Sequence, residues 1–99
     1  MKVEWTRWAV SQWLDSFEHL EGENPAAARR IAEAIFETVD MLALHPHAGR
    51  IGGVDGTREF AVPRSAFIVA YAVDRSKNLL RVLTVYDGRR RWPSAFPKG

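Results

Sequence analysis

Apolar positions divide the chain into a helical half and a strand half. Lys2-Val3-Glu4-Trp5 alternates polar with apolar and predicts a short strand, after which Thr6 offers a hydroxyl as a helix N-cap. From Arg7 to about Leu20, Val10, Trp13, Leu14 and Phe17 recur at helical spacing opposite Gln12, Asp15, Ser16 and His19, so this face should pack on a sheet. Gly22-Glu23-Asn24-Pro25 punctuates: Gly ends one helix, Asn24 caps the next, and Pro25 takes its first position. The second helix, Ala26 to about Leu44, carries Ala28, Ile31, Ala32, Ile35, Val39 and Leu42 on one face. Ala27, Phe36, Met41 and Ala43 widen that arc, which suits either a well-buried helix or a groove for a partner's helix.

Residues 48–57 hold four glycines and read as a loop. From Thr57 the period changes to that of strands: TREFAVP, AFIVAYAV and LLRVLTVY, separated by Arg64-Ser65 and by DRSKN. The fold class is therefore α+β: an N-terminal strand, a two-helix hairpin, then a three-stranded antiparallel meander with the helices over one side. The last strand is apolar on both faces, with Leu79, Leu83 and Val85 on one and Leu80, Val82, Thr84 and Tyr86 on the other. Asp87-Gly88 breaks it, and Arg89, Arg90, Arg91 and Trp92 follow. Three guanidiniums at a strand end can grip phosphates or carboxylates bidentately, or can simply form a solvated tail.

Composition narrows the possibilities. A length of 99 residues, 46% hydrophobic and 26% charged, suits one folded domain over 1–99. The absence of cysteine removes disulfides, thiolate metal sites and cysteine nucleophiles. His45 and His47 lack a third ligand, so no metal is expected, and the glycines lack the Gly-Lys-Ser/Thr of a phosphate loop, so no cofactor is expected either. No apolar run reaches the roughly 20 residues of a membrane span, and the chain reads as cytoplasmic. The net charge of +2 is unevenly spread: residues 1–24 carry −3 and residues 25–99 carry +5, which points to an anionic partner for the later part. Trp8 lies about 200° around its helix from Val10, on the polar side, and is either a partner contact or covered by a bend or loop.

Several segments in order, GENPAAARRIAEAIF, HPHAGRIGGVDGTREFAVPRSAFIVAYAV and LRVLTVYDGRRRWPSAF, resemble the RelE/ParE superfamily, the toxins of bacterial type II toxin-antitoxin modules. The resemblance spans essentially the whole chain. It implies a growth inhibitor neutralised by a cognate antitoxin wrapped around it in a hetero-oligomer. RelE-like members cleave mRNA on the ribosome, and ParE-like members inhibit DNA gyrase. Metal-independent RNA cleavage needs an acid, a base and cations for the phosphate. Arg58, Tyr86 and Arg90 are the candidates here, but Glu59 stands where the nucleases carry lysines and Phe96 where they carry a terminal tyrosine. A phenyl ring cannot transfer a proton. The pattern favours the ParE-like branch and no enzymatic activity, although many ParE-like chains carry a histidine near Tyr86 or Asp87 that is missing here. The alternatives are a RelE-like endoribonuclease and a non-toxic basic binding module. Arg64, Arg81, Arg89, Arg90, Arg91 and Trp92 are the expected target-binding residues, and Trp5, Trp8, Trp13 and Phe36 the expected antitoxin contacts.

Overall fold

The computed structural model describes residues 1–89, and their order is β1 (Lys2–Trp5), α1 (Arg7–Glu23), α2 (Pro25–Leu44), β2 (Arg50–Ile51), β3 (Arg58–Ala61), β4 (Phe67–Asp74) and β5 (Leu79–Asp87). Local chemistry sets the helix limits. Thr6 is extended, and its hydroxyl accepts from the Ala9 amide at 3.0 Å, which starts α1. Asn24 closes α1 through its own N–H to the Leu20 carbonyl (2.7 Å) and opens α2 by accepting from the Ala27 amide (3.1 Å). Gly22 does not end α1, contrary to expectation. It sits inside the last turn, and the break comes at Asn24 because Pro25 excludes helical geometry from the residue before it.

The five strands form one sheet in the order β1-β5-β4-β3-β2. β1 lies parallel to β5, with Lys2 beside Leu79 and Trp5 beside Val82, and the remaining pairs are antiparallel. A parallel pair needs a long crossover, which the helical hairpin supplies. Both helices then cover one face. Ala28, Ile35, Val39 and Leu42 of α2 are buried as the spacing requires, the last three in one core cluster with Phe67, Val69 and Tyr71 of β4 and Leu80, Val82 and Val85 of β5. The expected face of α1 is corrected: Ala9 and Trp13 are buried, whereas Val10 is 43% and Leu14 57% exposed. The helix is rotated toward Ala9, whose small side chain admits close approach to the sheet.

Two further departures come from the sheet. Ala70 faces Thr84 but Tyr71 faces Val82, so Leu83 is an extra residue in β5. Alternation is reset there. Val82 and Val85 share the helix side, while Thr84 and Tyr86, opposite Ala70 and Ile68, lie on the other face with Arg81; Thr84 and Tyr86 do not continue the Val82 row. The glycine-rich segment also contributes a strand, β2, so the sheet has five strands rather than four.

Tyr71 fixes that segment. Fully buried, it donates its hydroxyl to the Pro46 carbonyl (2.7 Å) and accepts from the Gly49 amide (2.9 Å), and burial raises its pKa. A Cβ at Gly49 would come within 2.5 Å of the Tyr71 hydroxyl, so only glycine fits. Replacing Tyr71 by Phe strands a buried donor and acceptor, and urea unfolding should record a loss of about 1–3 kcal/mol. An unchanged midpoint would show that solvent reaches both groups.

Candidate functional site

The strand end that carries the arginine run is built tightly. Gly88 donates its N–H to the Ala66 carbonyl at 2.6 Å, and a Cβ there would meet Ile68 at 2.7 Å, so the chain leaves β5 pressed against the β3–β4 turn. Asp87 binds Arg89 through both oxygens: Oδ1 accepts from the backbone N–H (2.9 Å) and Nε (3.0 Å), and Oδ2 accepts from NH2 (2.6 Å). Arg89 remains 79% exposed at its side chain, and hydrogen bonding and attraction to Asp87 raise its pKa. Arg64, with positive φ, occupies the β3–β4 turn and shares this end of the sheet. Arg81 does not. It pairs with Glu4 at 3.0 Å, six positions back along β5 from Asp87 and so roughly 20 Å away. Arg90, Arg91 and Trp92 lie outside the described residues.

The catalytic candidates are not brought together. Arg58 sits opposite Tyr71, on the helix side of the sheet, and its NH1 donates to the Gly49 carbonyl at 2.8 Å. Tyr86 sits opposite Ile68 on the other side. Arg90, the third candidate, falls outside the described residues. Burial, and then the Glu59 carboxylate, push the Tyr86 phenol up to about 12, against a smaller opposing effect of Arg50. A phenol with that affinity stays protonated at neutral pH and is a poor base and a reluctant acid, since effective proton transfer needs a pKa near the working pH.

The partner of that phenol's field was only half legible. Glu59 departs visibly from the nuclease pattern, but its companion Arg50 lay in the presumed loop. β2 places Arg50 opposite Glu59, and Nε (2.9 Å) and NH2 (2.5 Å) both donate to Glu59 Oε1. The carboxylate is 9% exposed and the guanidinium 73%. A carboxylate held by one guanidinium thus stands near enough to Tyr86 to act on its phenol. His47 turns its Nε2 to Arg75 in an exposed contact, and the described residues contain no group of three or more His, Cys, Asp or Glu able to hold a metal.

A separate apolar strip runs beside β1. The Trp5 ring packs on Phe36 with centroids 5.8 Å apart, and Phe36 is 49% exposed. Trp5, Arg7, Val10, Ser11, Leu14 and Asp15 line an open groove of about 420 Å³. Trp8 is 36% exposed. Trp13, expected both on the sheet-facing side of α1 and as an antitoxin contact, meets only the first expectation: 6% exposed, it meets Phe67 edge-on (5.8 Å, 89°) and Phe17 at 5.8 Å. Val10 and Leu14 were missed as surface residues. Ala9 was the available signal, because a small residue in a helix otherwise lined with large ones marks its closest approach.

Comparison with known proteins gives the family and the fold. A family model described as the ParE toxin of the type II toxin-antitoxin system, parDE, matches residues 3–92. The chain belongs to the ParE toxin family. It is 30% identical over 95 residues to "Putative toxin Y4kP" of Sinorhizobium fredii, covering 96% of each chain. A solved chromosomal ParDE toxin-antitoxin system from P. aeruginosa matches with a TM-score of 0.76 and 24% identity over 88% of this chain and 95% of that one, which shows the same α+β fold. Membership of this family implies an antitoxin partner. No helix among the described residues is long and apolar enough to cross a membrane.

The Tyr86 environment gives a signed pH effect. A phenol harder to ionise folded than unfolded contributes full stability below about pH 10, and that contribution is lost as pH rises toward about 12. Urea midpoints measured across that window should fall, and Tyr86→Phe should flatten the fall, with Tyr71 supplying what remains. A slope identical in the variant would mean that Tyr86 titrates normally.

Proposed function

We propose that this ParE-family toxin arrests growth by binding and inhibiting DNA gyrase and performs no bond-breaking chemistry. The observation that carries this reading is the separation of Arg58 from Tyr86 by the thickness of the sheet, because general acid-base cleavage requires its groups around one phosphate. The raised Tyr86 pKa and the Glu59 carboxylate beside it support the same conclusion. Arg64 and Arg89, at one end of the sheet, belong to the surface offered to the target, and Arg90, Arg91 and Trp92, which follow Arg89 in the sequence, act with them in this reading. Arg81, paired with Glu4, stands apart from it.

Purified toxin added to gyrase should block supercoiling of relaxed plasmid, and induced cells should show DNA-damage signalling with intact transcripts. Tyr86→Phe should keep its toxicity, since ring and packing survive. A ribonuclease acting through that hydroxyl would lose roughly two to four orders of magnitude in cleavage rate. Cleaved transcripts on induction, abolished in a folded Tyr86→Phe variant, would reverse the assignment. Alanine at Arg89, Arg90 and Arg91 together should abolish toxicity at unchanged Tm, because an exposed charge such as Arg89 contributes little to folding and much to an anionic interface.

The antitoxin, in this reading, covers the strip formed by Trp5, Val10, Leu14 and Phe36, with Trp8 at its margin. Exposed aromatic and aliphatic side chains around a groove are the usual anchors of such an interface. Leu14→Asp combined with Phe36→Asp should weaken antitoxin binding at least roughly tenfold, as calorimetry would show, and leave toxicity in place. Unaltered affinity would put the antitoxin elsewhere.

A further inference from the structure

The sheet ends differently at its two edges. β2 closes one edge with two residues, whereas β1 closes the other with four, and among the described residues nothing pairs with the outer side of β1. The parallel ladder decides which backbone groups face outward. Lys2 donates its N–H to the Asn78 carbonyl and Thr6 to the Val82 carbonyl, both at 3.0 Å, so Lys2, Glu4 and Thr6 bond inward and Val3 and Trp5 turn their N–H and C=O away from β5. Such an edge is a template for another strand unless a proline, a bulge or an unopposed charge blunts it. β1 has neither proline nor bulge, and its single lysine is followed two residues later by a glutamate.

We infer that the β1 edge pairs with the β1 edge of a second copy of this chain, antiparallel about a two-fold axis between the two Val3 residues. The charges select this register. Four alignments centred on a residue of β1 pair outward groups with outward groups, and the one centred on Trp5 sets Val3 against Arg7, which already belongs to α1. Centring on Lys2 sets Lys2 against Lys2, and centring on Glu4 sets Glu4 against Glu4. Centring on Val3 sets Lys2 against Glu4 twice, lets the Val3 residues exchange both backbone hydrogen bonds, and brings Trp5 opposite Met1. Like charges directly opposed destabilise a strand pair and opposite charges stabilise it. Glu4, 54% exposed at its side chain and held by Arg81 of its own chain, has room for the second copy's lysine as well. Val3, 37% exposed, becomes a cross-strand pair, and the product is a continuous ten-stranded sheet closed by two-fold symmetry. This pairing is independent of the toxin's target.

The test is sedimentation of the full chain freed from its antitoxin, at high micromolar concentration. Wild type should be a dimer and Val3→Pro a monomer with an unchanged circular dichroism spectrum, because proline there removes an outward N–H and no inward one. Lys2→Glu and Glu4→Lys should each weaken the dimer roughly tenfold, and mixing these two variants should restore it as a heterodimer. This charge exchange decides the matter even if the proline variant does not fold. A monomeric wild type, a dimer indifferent to all three substitutions, or a Val3→Pro change that weakens only antitoxin binding would each overturn the proposal.

Discussion

Everything in this fold converges on β5, and the junction at Thr6 is what lets one strand serve three neighbours. Its N–H completes the parallel ladder at the Val82 carbonyl. Its hydroxyl accepts from the Ala9 amide to start α1 and donates to the Leu83 carbonyl at 3.3 Å. Leu83 is the extra residue of the bulge, so the helix start is tied to the place where the strand changes parity. Bulges bend and twist the strand that carries them, and this one places Val85 under the helices and Tyr86 on the opposite face. The side on which Tyr86 emerges is therefore set at a bulge to which a threonine far away in sequence is hydrogen-bonded.

That coupling explains what could and could not be seen in the chain beforehand. Thr6, Asn24 and Pro25 act on residues within one helical turn, so their roles were legible, as was the buried face of α2, where alanines and branched residues keep strict spacing. The α+β order of elements followed from the switch in period. The bulge at Leu83 was not legible, since LLRVLTVY alternates acceptably without it and the partner that requires it is β4. Nor was β2, because two residues flanked by glycines carry no period at all. The face of α1 was misplaced by the size of Val10 and Leu14, which outweighed Ala9 in any pattern based on hydrophobicity alone. At the site, the arginines were identified by type, but the sheet face each occupies depends on the register of the strands.

Electrostatics temper the basic composition. Arg50, Arg81 and Arg89 each have a carboxylate within hydrogen-bonding distance, and Arg58 spends one nitrogen on a backbone carbonyl. Those charges are partly neutralised at home, so the field presented to a partner is weaker and more local than a count of guanidiniums suggests. Asp87 in particular holds the Arg89 fork in one orientation. An anionic group reaching Arg89 must share it with that carboxylate, which favours partners able to approach edge-on.

The joint between the helices has a mechanical consequence of its own. Asn24 is at once the last residue of α1's hydrogen bonding and the first of α2's, so no slack separates them. One residue inserted there would turn α2 by about 100° about its axis and swing Ile35, Val39 and Leu42 off the sheet. The hairpin therefore behaves as a rigid bracket clamped to β5 at Thr6, and changes in chain length have to be absorbed at the far end of the molecule, in the glycine-rich segment before β3.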